Sequence, residues 1–232
     1  MSRTDQVVDG IKRMILDGEL GPGDRLPVEK ELAETLDVSR GSLREGVRAL
    51  SILGIVDTRQ GDGTYVTSLD PARLLSPMGF VVDLQGDGSA RPFHGVRRVL
   101  ETEAAALAAT RITPEALAEA RDVLDQVEHI LCQPDVDHEG FIEADIAFHR
   151  IIAAHTGNPV MAALIESLAT RTVRERLWRG LHEEGAEERT HGEHRAVWRA
   201  LAAGDPEAAR IRMANHLLGV EESLPELPVD GA

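Results

Sequence analysis

One change of period constrains the N-terminal third of this chain more than any other feature. In "VEKELAETLDVSRGSLREGVRALSILG", which ends at Gly54, apolar residues recur at helical spacing, and in the following "IVDTRQGDGTYVTS" they alternate. Leu32, Ala33 and Leu36 line one side of a short helix near Val28 to Leu36. A tight turn at Asp37 and Val38 follows. A second helix starts from Ser39, a good N-cap, and is expected to bury Leu43, Val47 and Leu50. The "GDG" between two alternating runs predicts a two-stranded hairpin whose Asp-Gly turn supplies the positive φ values. Upstream, Val7, Val8, Ile11, Met14 and Ile15 mark a helix over Asp5 to Asp17, ended by the glycines and prolines of "DGELGPGDRLP". Helix, helix-turn-helix and hairpin in that order describe a winged helix.

The second of the paired helices carries Arg40, Arg44 and Arg48, although the chain has a formal net charge of −15 at pH 7. Residues four apart on a helix drift only about 40° per step, so the three arginines share a solvent-facing strip beside the apolar one. A solvated charged face would have the same spacing. The position favours nucleic acid, because this helix of the motif is the one that enters the major groove, where arginine suits phosphates and guanine O6 and N7. The overall acidity argues against non-specific attraction to phosphate backbones, so a DNA-binding surface has to be local.

These residues also carry a resemblance. "LPVEKELAETLDVSRGSLREGVRALSILGIVDTRQGDGTYV" closely resembles the DNA-binding domain of the GntR family of bacterial transcription regulators, over Gly18 to Val66. The resemblance implies that Lys30, Arg40 and Arg44 contact phosphates and base edges. It also implies that Ser39 caps the helix and touches the DNA backbone, and that Gln60 and Gly61 at the wing tip approach the minor groove. Ser42 and Arg48 complete the expected set. Gly41 and Gly46 depart from the family's usual Thr and Ala, and a glycine inside a helix costs roughly 1 kcal/mol relative to alanine.

The 232 residues suffice for two modest domains. The expected division is a winged helix over 1–69, a linker with a short helix over 70–91, a helical domain over 92–224 and a tail over 225–232. In the linker, Leu74, Leu75, Met78, Val81 and Val82 suggest an apolar helix that Pro77 kinks, followed by a flexible "QGDGSARP". Beyond Pro92 the chain reads as about six helices. Three starts are signed alike, by Thr113-Pro114, Asn158-Pro159 and Asp205-Pro206. The fold class is therefore mainly α, a winged helix-turn-helix followed by an antiparallel all-α bundle. No apolar run approaches the roughly 20 residues of a membrane-spanning helix, and the N-terminus is charged where a secretion signal is apolar. A cytoplasmic protein is expected. Cys132 is the single cysteine, which excludes an intrachain disulfide and a Cys-based zinc site, and it is expected to be a small buried residue.

In the bundle, Asp145 and His149 stand one helical turn apart in "DIAFH". His194 and His216 flank "AGDPEAA" at about ten residues on either side, so a helical hairpin would return them to similar height. Three imidazoles and a carboxylate suit zinc, nickel, manganese or another divalent ion. Buried histidines with hydrogen-bond partners fit the same residues. The segment Arg97 to Leu217 is similar to the FadR-type ligand-binding domain known as FCD, and its "D...H" followed by "H.A...A...GD...A......H" matches the metal-binding subgroup. That likeness implies Asp145, His149, His194 and His216 as ligands, with zinc first among the metals. It also implies Arg97 as the arginine that reaches a small carboxylate effector.

Other candidates are weaker. Glu188 and His191 form one E-x-x-H where a di-iron bundle needs two, and His182-Glu183 lacks the second histidine of a zinc protease motif. His129, His138 and His155 are expected to be solvated, and Trp178 and Trp198 to be core or pocket wall. The reading is a metabolite-responsive regulator, a repressor by preference, binding operator DNA as a homodimer, with no membrane partner and no enzymatic activity. The alternative is a metalloenzyme acting on small organic acids with an accessory winged helix.

Overall fold

Ser2 starts the first helix through a reciprocal pair of bonds. Its Oγ accepts from Asp5 N–H at 3.0 Å and its own N–H donates to Asp5 Oδ2 at 2.7 Å, satisfying two of the donors that a helix start leaves over. This helix, α1 (Arg3–Leu16), buries Val7 and Ile11 completely and packs along α3. The computed structural model to which it belongs describes residues 2–75, 90–169 and 180–223. The chain forms two compact units, Met1–Pro77 and Met78–Ala232.

In the first unit, α2 (Glu29–Thr35) and α3 (Arg40–Ile52) make the helix-turn-helix. Between them Val38 N–H returns to Ala33 O at 3.0 Å, and Asp37 takes a φ of 50°, which Asp tolerates better than most residues. Ser39 Oγ accepts from Ser42 N–H at 3.1 Å and caps α3. At the other end Gly54 N–H bonds to Ser51 O and Ile55 N–H to Leu50 O, with Gly54 at φ 73°. A residue without a Cβ suits that left-handed reversal, so the helical period stops there.

The strands β1 (Val56–Arg59) and β2 (Gly63–Val66) pair antiparallel, Val56 opposite Val66 and Arg59 opposite Gly63. Their turn differs from the expected one. Asp62 N–H bonds to Arg59 O, and the positive φ values fall on Gly61, at 77°, and Gly63, at 156°. Gly63 opens β2 beside Arg25, whose Nε would lie 2.5 Å from a Cβ at that position. Val47, expected in the core, is half-buried, because α3 turns Leu43, Gly46 and Leu50 inward.

The second unit is all helix among its described residues: α4 (Ala90–Ala109), α5 (Pro114–Leu131), α6 (His138–Ala154), α7 (Pro159–Ala169), α8 (Ala186–Ala202) and α9 (Pro206–Glu222). The expected caps are present. Thr113 Oγ1 accepts from Ala116 N–H, Asn158 Oδ1 from Val160 and Met161 N–H, and Asp205 Oδ1 from Glu207 and Ala208 N–H. Alanines at 105, 108, 116, 120, 200 and 209 are buried in the core with Phe148, Leu201 and Met213, and small side chains let the helices approach closely. Gly204, at φ 64°, and Asp205 close α8 through bonds to Leu201 O and Ala200 O, and Asp205 caps α9 in the same turn. The reversal therefore takes only three residues.

Cys132 is exposed, contrary to expectation, because it caps the C-terminal end of α5 instead of facing a neighbouring helix. Among the described residues no helix is long and apolar enough to cross a membrane. Most of the apolar run expected in the linker, from Pro77 to Val82, lies outside the described residues, as do the 225–232 tail and Trp178.

The two helix-interior glycines of α3 differ in their surroundings. A Cβ at Gly46 would lie 2.5 Å from Val7 Cγ1 and 2.6 Å from Val7 Cβ, whereas at Gly41 its nearest neighbour is Ser39 Oγ at 3.7 Å. Gly41→Ala should be neutral or stabilising by up to about 1 kcal/mol. Gly46→Ala should lower stability by about 1–2 kcal/mol despite its better helix propensity, since Val7 has no room to retreat. Urea denaturation of the two variants checks this, and equal effects would contradict it.

Candidate functional site

Two constellations stand out, one in each unit. In the first, Lys30, Ser39, Arg40, Arg44, Arg48, Gln60 and Gly61 are exposed and Ser42 is half-buried. Lys30, Ser39, Arg40 and Ser42 line one surface groove with Arg3. Arg44 and Arg48 line a second, closed on its far side by Thr58 and Gly63 of the hairpin. Gln60 and Gly61 form the tip of the β1–β2 turn. One contact was not legible in the sequence: Arg44 Nε and Nη2 both donate to Glu29 Oε2 at 3.1 Å.

In the second unit Asp145, His149, His194 and His216 come together, all buried, with one ligand-type atom of each within 4.8 Å of the others. α6 supplies the first two from successive turns, and the α8–α9 hairpin brings the others to one level. His194 Nε2 lies 3.2 Å from His216 Nε2 and 3.5 Å from Asp145 Oδ1, and His149 Nε2 lies 3.9 Å from Asp145 Oδ1. A tetrahedral site with bonds of about 2.0–2.1 Å holds its ligand atoms about 3.4 Å apart. The ring of Phe148 stacks on His194 at 4.7 Å between centroids and covers the cluster with apolar surface.

The outer atoms of the rings are held by carboxylates. His216 Nδ1 faces Glu193 Oε2 at 2.9 Å, and His149 Nδ1 lies against Glu101 Oε2. A neutral imidazole that donates from Nδ1 presents the lone pair of Nε2. His216 is held in that neutral form: burial pushes it down to about 4, and Glu193 only partly opposes this. The Nε2 lone pair of His216 and the Asp145 carboxylate then face into one cluster. At 3.2 Å the Nε2 atoms of His194 and His216 are within hydrogen-bond distance of each other. Such a set is short of positive charge at its centre, and a divalent cation fits it.

Arg97 stands next to this cluster. It is 1% exposed, and its Nε donates to Glu101 Oε1 at 2.6 Å. Burial alone would raise the Glu101 carboxyl, but the charge of Arg97 and the hydrogen bonds from His149 and Arg97 outweigh it and hold the group well below the usual carboxylate range. Arg97, Asp145 and His216 also line a cavity of about 20 Å³ together with Phe141, Glu187 and Thr190. Glu101 and Glu193 escaped the sequence reading, though Glu101 follows Arg97 by one helical turn and Glu193 adjoins His194.

The lesser candidates fall elsewhere. His138 is half-buried and its Nδ1 meets Glu187 Oε1 at 2.8 Å, and His155 Nδ1 meets Ile151 O at 2.8 Å. Neither is simply solvated, because His138 makes its contact at the start of α6 and His155 at its C-terminal cap. His129 is exposed. Trp198 packs against the core and donates from Nε1 to Leu117 O at 2.9 Å.

Removing Glu101 would leave a buried guanidinium without its carboxylate. Glu101→Ala should cost about 3–5 kcal/mol, the usual penalty for breaking a buried pair on one side. Denaturant unfolding reads this directly, and a loss below about 1 kcal/mol would mean that Arg97 finds compensation elsewhere.

Comparison with known proteins covers both units. Residues 3–66 match the family model "Bacterial regulatory proteins, gntR family", and residues 94–219 match the FCD domain. The chain is 32% identical over 216 residues to the HTH-type transcriptional regulator LutR of Bacillus subtilis, covering 91% of this chain and 96% of that protein. It is 29% identical to the galactonate operon transcriptional repressor of Escherichia coli, covering 90% and 91%. A solved Streptococcus agalactiae GntR structure matches with a TM-score of 0.71 and 29% identity, over 95% of this chain and 99% of that one. The chain therefore belongs to the GntR family, as a DNA-binding transcription regulator whose helical unit is an FCD effector-binding domain.

Proposed function

We propose that the protein is a metabolite-responsive repressor whose bundle holds a divalent metal and a small carboxylate effector side by side. The observation that carries this reading is the buried Arg97 in the wall of a cavity that Asp145 and His216 also line. Asp145, His149, His194 and His216 would hold the metal, zinc first among the candidates and nickel or manganese after it. When bound, it supplies an electrophilic anchor for a carboxylate oxygen. Arg97 offers the same anion a guanidinium kept dry, where charge-assisted bonds are strongest. The carboxylates of Glu101 and Glu193 orient the imidazoles, and Phe148 excludes water. The repressor assignment is supported by the galactonate operon repressor among the relatives.

The cavity of about 20 Å³ has room for roughly one water, so an acid of several carbons requires its walls to part. Effector binding thus selects a shape of the bundle different from this one, and by linkage it changes operator affinity as operator binding changes effector affinity. In the winged helix, Lys30, Ser39, Arg40, Ser42, Arg44 and Arg48 would meet phosphates and base edges, with Gln60 and Gly61 toward the minor groove. A winged helix over 1–69 and an effector domain over 92–224, joined by a 70–91 connector, would act as a homodimer on a pseudo-palindromic site. The protein would work in the cytoplasm, where the operator is.

Protein purified without added metal should carry close to one divalent ion per chain by elemental analysis. His216→Ala should lose most of it. A metal-free wild type that takes up none of zinc, nickel or manganese on dialysis would overturn the metal assignment.

A further inference from the structure

The contact between Arg44 and Glu29 assigns a role to an acidic residue on a surface meant for a polyanion. Arg44 is the most exposed of the groups in the contact, with its side chain 74% accessible, yet its guanidinium is held side-on. Nε lies 3.0 Å from Glu29 Oε1 and 3.1 Å from Oε2, and Nη2 lies 3.1 Å from Oε2. Glu29 stands in the first turn of α2 and Arg44 in the middle of α3, so the pair spans the two helices of the motif. Exposed ion pairs contribute little to stability, typically below about 1 kcal/mol. An acid here also repels phosphates. Neither consideration explains a carboxylate at this point.

The guanidinium has two edges that can bond in parallel. Glu29 takes the edge formed by Nε and Nη2, and the edge formed by Nη1 and Nη2 remains turned away from it. That second, end-on edge is the one suited to guanine O6 and N7, which both accept in the major groove. A freely rotating arginine could give either edge, or neither, and would meet a phosphate as readily as a base.

We infer that Glu29 is a specificity-determining positioning residue. It fixes the guanidinium of Arg44 so that the end-on edge reads a guanine in each operator half-site, and it discourages the looser phosphate contacts that carry no sequence information. The inference rests on the reading of Arg44 as a base contact. Simple electrostatics predicts the opposite sign for its removal, since loss of a negative charge should tighten binding to any DNA.

The probe is a duplex selected by the full-length wild-type protein from a randomised pool, compared with a scrambled duplex of equal composition at fixed salt. Wild type, Glu29→Ala, Glu29→Gln, Arg44→Ala and the double variant are titrated against both, and their melting temperatures are recorded. The expected result for Glu29→Ala is equal or tighter binding to the scrambled duplex and a specificity ratio lower by about fivefold or more, as for loss of a good bidentate contact. Melting should be nearly unchanged. Glu29→Gln, which keeps one acceptor, should fall between. In the Arg44→Ala background, removing Glu29 should leave the ratio where it is, and pools reselected with Glu29→Ala should lose a guanine preference at one position per half-site.

If Arg44→Ala lowers the ratio but Glu29→Ala leaves it at the wild-type value, the inference fails and the DNA reading of Arg44 stands. If Arg44→Ala itself leaves the ratio unchanged, both fall together. A Glu29→Ala effect of the same size with and without Arg44 would assign the role to Glu29 alone and overturn the positioning account.

Discussion

A guanidinium with almost no access to solvent sets the terms for the bundle core. Arg97 is charged at any physiological pH, and its burial is tolerable because Glu101 sits at 2.6 Å in an equally dry environment. That carboxylate has a second oxygen, and it lies against His149. The ring is therefore fixed in direction by the same group that neutralises the arginine. On the far side Glu193 does the same for His216. Two carboxylates outside the cluster thus turn imidazole nitrogens inward, toward Asp145. Bringing four such buried polar side chains to one point is costly as a purely structural device, because each has to be taken out of water. As an ion-binding and anion-sensing site the arrangement is coherent.

The DNA-binding unit solves a different electrostatic problem. The whole chain is strongly acidic, with a formal charge of −15, so non-specific attraction to DNA is weak and cations have to be concentrated and aimed. The tight turn at Asp37 and the Ser39 cap set the start of α3, and the Gly46–Val7 approach sets how closely it lies on α1. Together they determine where Arg40, Arg44 and Arg48 emerge. The hairpin, pinned beside Arg25 by the absence of a side chain at Gly63, closes the groove next to them.

Much of this was legible in the residues. Period and capping chemistry gave the helix-turn-helix, the hairpin and the three Pro-initiated helices, because those signals are local. The convergence of His194 with His216 followed from counting residues on either side of "GDP", since a hairpin of regular helices has a fixed rise. What escaped was non-local or depended on sub-ångström fit. Gly46 read as a weak point in a helix, and only the position of Val7 gives it a reason. The Asp62-Gly63 pair signalled a turn, but the turn closes between Arg59 and Asp62, so Gly61 takes a left-handed φ as well and Gly63 already opens β2. Cys132 read as buried by residue type, whereas the end of α5 exposes it. The partners Glu101, Glu193 and Glu29 were hidden among 40 acidic residues: an acid on a helix is usually solvated, and nothing in its identity says which one is buried or paired.

In the proposed function, the Asp/His cluster and the cavity beside it form the input of a regulator whose output is operator occupancy. The most direct test measures release of the protein from its own upstream DNA by a panel of small hydroxy, sugar and keto acids, once with metal-loaded protein and once after chelator treatment. At least one acid should lower operator affinity in the loaded protein, and the effect should disappear in the stripped protein and in Arg97→Met. Release of equal size with and without metal, or with Arg97 replaced, would contradict the proposed function.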